Sequence, residues 1–207
     1  MEHIKYQYST WKISNGKEIE PMKLVIFPVC CGAGGIGKTT FVRKSLNTEL
    51  KEASTLNPNH SNEFLKLLHS CVSTINGELI FRISFSDDIL LNEDLNRIEQ
   101  SLALRLLHQF FKFQENRVLS FTEFRNKFDY SWLYHITLRE VIDTIRFFSK
   151  IPITSECLMV LHLDETNILM ENPPFNNYLK TALQILGRVI MSLQYTFLLC
   201  PLTGMSL

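Results

Sequence analysis

The chain lacks most of the features that commit a protein to a special environment. No apolar run in its 207 residues reaches the roughly eighteen that a membrane-spanning helix needs. The opening Met1-Glu2-His3-Ile4-Lys5-Tyr6-Gln7 has no apolar core of a secretory signal, so conventional secretion finds no support. Charge of one sign is missing too. The 21 basic residues balance 21 acidic ones, which leaves no overall footprint for nucleic acid or an anionic membrane. Cysteines are odd in number, five, and none shows the Cys-x-x-Cys spacing of a metal site. Cys30, Cys157 and Cys200 lie in or beside apolar runs and read as buried free thiols of a reducing compartment. Only the adjacent Cys30-Cys31 pair suggests redox sensitivity. His69, His108 and His135 have no metal-ligand spacing, and repeats and low-complexity tracts are absent. What remains is a globular chain of one domain's length, expected inside the cell, in cytoplasm or nucleus.

Against this background one stretch stands out. Gly32-Ala33-Gly34-Gly35-Ile36-Gly37-Lys38-Thr39 follows the apolar run Leu24–Cys30 and leads into a helix-like segment, Thr40 to Leu50. Gly, four residues, Gly-Lys-Thr between a strand and a helix is the phosphate-binding P-loop pattern. Glycines allow positive φ and a close backbone approach to an anion. Successive N–H groups and the helix's positive end then face the phosphates. In this reading Gly32, Ala33, Gly34, Gly35, Ile36, Gly37, Lys38, Thr39 and Thr40 bind the nucleotide. Lys38 reaches the β- and γ-phosphates, and the Thr39 hydroxyl joins a Mg²⁺ shell.

The rest of the chain alternates strands and helices. Residues 1–22 read as an N-terminal extension or strap, where weak alternation in Ile4–Tyr8 and the turn pair Asn15-Gly16 suggest paired strands. Tyr6, Tyr8 and Trp11 either stack on a base or cover a sheet edge. A first strand, 23–30, is apolar throughout and so expected to be buried on both faces. A polar loop is expected over 51–63 and a short helix at Phe64–Leu68. Glu78–Ser86 reads as a strand with Ile80, Phe81, Ile83 and Phe85 as its apolar positions. The strongest helical periodicity runs over Glu93–Phe113, through Leu95, Ile98, Leu102, Leu106 and Phe110. Helices are expected at Phe121–Phe128, at Leu138–Phe148 before Pro152, and at Asn177–Leu193. Strands are expected at Cys157–Leu163 and Thr196–Leu202. Such alternation predicts an α/β fold, a three-layer P-loop NTPase with a mainly parallel sheet and helices on both faces.

Parallel strands deliver ligand-binding residues at their carboxyl ends. Asp164 and Glu165 close the Cys157–Leu163 run. There Asp164 would hold Mg²⁺ directly or through water, and Glu165 would orient or deprotonate a water aimed at the γ-phosphate. Thr203, at the end of the last strand, would lie between the loop and the acidic pair, and Asn167 could serve similarly. His162, two residues before Asp164, reads as a satisfied core histidine rather than a catalytic one. Asn126-Lys127-Phe128-Asp129 matches the guanine-reading pattern, but it precedes the acidic strand and no Gly follows that strand's Asp164. Adenine is therefore the default base, by elimination.

The loop Gly34-Gly35-Ile36-Gly37-Lys38-Thr39-Thr40 resembles that of the STAND class of regulatory NTPases. Ile83-Ser84-Phe85, Ser101–Leu107, Leu163–Asn167 and Pro201–Gly204 together are similar to the NTPase region of Crinkler-type effector proteins, found in oomycetes and fungi, and of retrotransposon-hot-spot proteins. The resemblance implies an ATPase of the AAA-like, additional-strand class, with Asp164 and Glu165 as its Walker B pair and Thr203 as the sensor. It implies that the first strand lies beside the fourth and, normally, a fifth. On that pattern residues 23–207 form an NTPase domain without a fifth strand and helical lid, a truncated member with an open sheet edge that invites self-association. Delivery into a host cell is implied by the resemblance alone.

The expected activity is ATP binding and Mg²⁺-dependent hydrolysis used as a switch. A degenerate module that binds nucleotide or a protein partner without turnover is the alternative. A small-molecule kinase ranks last, because no acceptor pocket is recognisable.

Overall fold

The structure is a computed structural model that describes residues 8–9, 11–12, 27–30, 40, 44, 48, 67, 79–85, 97–114, 119–169 and 176–204. Its centre is a five-stranded sheet: β1 (Val29–Cys30), β2 (Ile80–Ser84), β3 (Cys157–Asp164), β4 (Thr196–Leu199) and β5 (Leu202–Thr203). The order is β1-β5-β3-β2, with β4 also on β3, and every pairing is parallel. The expected α/β class with a parallel sheet is thus observed.

The strands follow from local chemistry. β3 is Cys-Leu-Met-Val-Leu-His-Leu-Asp, and all eight residues are buried. A strand buried at every position is covered on both faces, which is why its apolar run is continuous. The last strand is broken in two. Pro201 has no N–H to give the ladder, so regular pairing lapses at Cys200-Pro201 and resumes at Leu202. Val160 faces Leu199 and Leu163 faces Leu202, so the register is unchanged across the break. β1 departs from the expectation of burial on both faces. Val29 is 46% exposed, because among the described residues β1 pairs with β5 alone.

The helices are α1 (Ile98–Gln114), α2 (Phe121–Arg125), α3 (Tyr130–Leu133), α4 (Leu138–Phe148) and α5 (Asn176–Ser192). α1 packs on β2, α4 and α5, and α5 packs on β4. Leu102, Ala103, Leu106, Leu138, Ile142, Ile145, Ala182 and Leu186 are essentially inaccessible, at helical spacings. α4 starts at a capping box, where the Thr137 hydroxyl accepts from the Glu140 N–H and the Glu140 carboxylate accepts from the Thr137 N–H. It ends in a Schellman motif. Ile151 N–H reaches Arg146 O at 3.0 Å, Lys150 N–H reaches Phe147 O at 3.0 Å, and Lys150 has φ 57°. The expected helix at Phe121–Phe128 stops at Arg125, and α3 follows it. Asn126 caps α2 and Asp129 caps α3, so the guanine-reading look-alike is a pair of helix caps.

Described positions in the expected helices Thr40–Leu50 and Phe64–Leu68 agree with those expectations. Thr40, Lys44 and Thr48 are helical and exposed, four residues apart, and Leu67 is helical and buried. The expected loop, 51–63, lies outside the described residues.

The N-terminal segment differs from expectation. Tyr8, Ser9, Trp11 and Lys12 are helical rather than extended. A three-residue spacing puts Tyr8 and Trp11 on one helix face. Both rings sit 5.8 Å from Phe197, and the Trp11 indole N–H donates to Leu193 O at 3.1 Å. Tyr8 donates to Glu156 at 3.1 Å, and burial, then the Glu156 charge and this hydrogen bond, raise its phenol pKa. Tyr6 and the Asn15-Gly16 turn lie outside the described residues.

Candidate functional site

The polar groups of the sheet gather at its carboxyl edge. Parallel pairing sets Arg82 opposite His162 and Ser84 opposite Asp164. Residues two apart on a strand share a face, so these four side chains lie together. β5 brings Thr203 in from the other side of β3, because Leu202 pairs with Leu163.

Asp164 is 2% exposed and is the hub. Its Oδ1 accepts from the Thr203 hydroxyl and from the Glu165 N–H at 3.0 Å. Its Oδ2 accepts from Arg82 Nε at 2.9 Å and Nη2 at 2.6 Å. A carboxylate has about four acceptor directions, so these donors fill it. Thr203 has one hydroxyl proton and gives it to Asp164, so His162 Nε2, 2.9 Å away, is the donor to Thr203 Oγ1. Burial pushes the His162 imidazole below its ordinary value, Asp164 pulls it back up and Arg82 adds to the lowering. A neutral Nε2–H tautomer agrees with that direction.

Glu165 adopts φ 57°, a left-handed conformation uncommon for a residue with a Cβ. Its carboxylate turns toward β2, where the Ser84 hydroxyl donates to it at 2.6 Å. The next residue anchors the turn, with the Thr166 hydroxyl donating to Thr203 O at 2.8 Å. Behind Ser84, buried Arg105 donates to Ser84 O at 3.1 Å and stacks over Phe121 at 4.3 Å.

Of the residues singled out from sequence, Asp164, Glu165 and Thr203 come together here. Thr40 is helical and exposed, and the side chain of Asn167 lies outside the described residues. Gly32, Ala33, Gly34, Gly35, Ile36, Gly37, Lys38 and Thr39 also lie outside them. Cys30, two residues before Gly32, is in register with Thr203. β1 and β3 are two strand spacings apart, about 10 Å. Tyr8 and Trp11 sit at the far end of the sheet. Phe197 is opposite Leu158, six residues and about 20 Å before Asp164 along β3. That distance rules out base stacking by these two rings at a nucleotide held at the carboxyl edge, and the sheet-covering alternative holds.

Sequence reasoning missed Arg82, Ser84 and the role of His162 as a donor. A signal was present. Arg82 and Ser84 are the polar positions between Ile80, Phe81, Ile83 and Phe85, so they share a face. A charge inside a buried strand needs a partner of opposite sign, and Asp164 ends another strand.

A magnesium ion finds the right donor type but not a vacant one. Among the described residues no three His, Cys, Asp or Glu side chains cluster for a metal. Mg²⁺ sites on nucleotides need only one or two protein oxygens beside the phosphates and waters. Asp164 has such oxygens, and Arg82 covers the one facing β2. A cleft of about 580 Å³ opens elsewhere, lined by residues including Arg139, Phe147, Ile153 and Tyr195, and touches none of these groups.

No helix among the described residues is long and apolar enough to cross a membrane. No protein family, curated protein or solved structure matches the chain.

Proposed function

We propose that the protein is an ATP-binding P-loop NTPase that uses its nucleotide state as a switch, of the kind its Crinkler-like segments imply. One observation carries the reading. β1, which runs into Gly32–Thr39, lies beside β5, and β5 brings Thr203 onto Asp164 at the end of β3. A phosphate-binding loop and a carboxylate that faces its metal have to share one sheet edge, and adjacent parallel strands supply that arrangement.

In this reading Lys38 and the loop N–H groups hold the phosphates. Thr39 and Asp164 hold Mg²⁺, which when bound neutralises charge on the β- and γ-oxygens. Glu165 orients or deprotonates the attacking water. Thr203 positions Asp164, and His162 positions Thr203.

The test is thermal unfolding with and without Mg-ATP, with Lys38→Ala as control. At a hundred times Kd, binding stabilises by about 2.7 kcal/mol. For a chain of this size the expected rise in Tm is roughly 5–10 °C, lost in Lys38→Ala. An equal shift in Lys38→Ala overturns the loop assignment. Glu165→Gln is expected to keep ATP binding and to lose turnover by about a hundredfold or more.

A second reading is favoured by a separate observation. Ser84 ties back Glu165 and Arg82 covers Asp164, so neither carboxylate is set for hydrolysis as the site stands. A module that binds nucleotide or a protein partner without turnover would show the Mg-ATP shift, or none, and no phosphate release in either case.

A further inference from the structure

We propose that Arg82 is a latch on Asp164: a built-in cation that occupies the carboxylate until a divalent cation exchanges with it. The inference rests on the reading of Asp164 as a cation-binding carboxylate.

Asp164 is nearly inaccessible to solvent. A buried carboxylate without a positive partner is strongly disfavoured, so some cation must face it in every state of the site. Among the described residues its positive partner is Arg82, with two nitrogens on the single oxygen Oδ2. The donors to the other oxygen are fixed. Thr203 is fully buried and tied to His162, and the Glu165 N–H belongs to the adjoining peptide. Among the described donors, Arg82 is the one that can leave. Its side chain is 51% exposed and long enough to carry its charge into water while its stem stays on the strand.

A cation that approaches Asp164 meets a like charge at the same oxygen. At the effective dielectric near a protein surface, like charges about 4 Å apart still repel strongly. Arg82 and a divalent ion therefore exclude one another, and exchange rather than addition is the geometry's outcome. The latch lowers affinity for a bare cation and reserves Asp164 for one that brings phosphate contacts with it. A purely structural ion pair would behave differently, since its removal would loosen the fold and leave cation affinity unimproved.

Mn²⁺ alone is the probe, followed on the full chain by loss of its free electron-spin signal. Arg82→Gln is expected to bind Mn²⁺ more tightly than the wild type by about tenfold or more. Adding Asp164→Asn is expected to abolish that gain. Affinity in Arg82→Gln equal to or below the wild type's overturns the latch, as does a gain that survives Asp164→Asn. If Arg82→Gln does not fold, Arg82→Lys, which keeps the charge but loses the two-nitrogen contact, is expected to show a gain of a few fold, and no gain overturns the proposal. A fluorescent ATP analogue, measured in parallel with Lys38→Ala, tests the nucleotide site separately. A Mn²⁺ gain without analogue binding removes the ATP reading and keeps the latch. Analogue binding without a Mn²⁺ gain removes the latch alone.

Discussion

Two arginines show how much the surroundings of a charge decide its role. Arg82 faces a carboxylate and keeps an exposed flank. Arg146 is buried and faces neutral oxygens: it donates to Tyr195 O at 2.8 Å, Thr196 Oγ1 at 2.6 Å, Pro152 O at 2.7 Å, Ile153 O at 3.1 Å and Ser155 O at 2.8 Å. That set ties the loop after α4 to the start of β4. Arg146→Met keeps much of the volume and strips the donors from these carbonyls. It is expected to lower the unfolding free energy by about 3–5 kcal/mol, read as a fall in urea midpoint with unchanged slope. Thr203→Val tests the other network. It removes the hydroxyl that links His162 to Asp164 and is expected to cost about 1–3 kcal/mol, with Thr203→Ser retaining most of the stability. The Arg146 network could not be read from sequence. Arg146 lies far along the chain from Thr196, and nothing local marks the two as partners.

At the scale of elements the sequence was more legible, and the reason is local. Leu138–Phe148 carries its own instructions: Thr137 and Glu140 form the start, apolar residues recur at helical steps, and the chain turns before Pro152. β3 is apolar from Cys157 to Leu163 and needed no partner to be recognised. The N-terminal segment misled because a few alternating residues resemble a strand, whereas contacts of Tyr8 and Trp11 with Phe197 decide for a helix. The capping box also makes a pH prediction. The Thr137 backbone N–H, then its hydroxyl, holds the Glu140 carboxyl below its ordinary value. A carboxyl depressed in the folded state contributes stability that is present above its unfolded value of 4.5 and lost as pH falls through the lower folded value. The stability difference between wild type and Glu140→Gln is therefore expected to shrink as pH is lowered from about 6 to about 3, measured by thermal unfolding at each pH. A difference that is flat or grows on acidification would show that the box carries no charge-dependent stabilisation.

Across the whole molecule the two ends of the sheet are built differently. The carboxyl edge concentrates Asp164, Glu165, Thr203, His162 and Arg82, while the amino edge is closed by aromatic packing. Strand order explains why the first end was partly foreseen. Once β1, β3 and the last strand are parallel, their ends must meet, and only the cross-strand partners in β2 stay hidden from a one-dimensional reading. The amino edge was not foreseen, because it depends on Trp11 meeting Phe197 and Leu193 from far away in sequence. Its weight can be measured. Trp11 is 5% exposed, belongs to the same core as Leu161 and Leu186, and places its N–H on Leu193 O. Trp11→Ala is expected to cost about 3–5 kcal/mol, a large part of the 5–15 kcal/mol that holds a typical domain together. Deleting residues 1–22 should then lower the urea midpoint by as much or more, because it removes Tyr8 as well. If Trp11→Ala leaves the unfolding free energy within about 0.5 kcal/mol of wild type, as a surface substitution would, the N-terminal helix is an ornament on a sheet that closes without it. A loss of the expected size makes that helix a structural part of the domain. The carboxyl edge is then free to hold strained and charged groups, because the opposite edge supplies compensating packing.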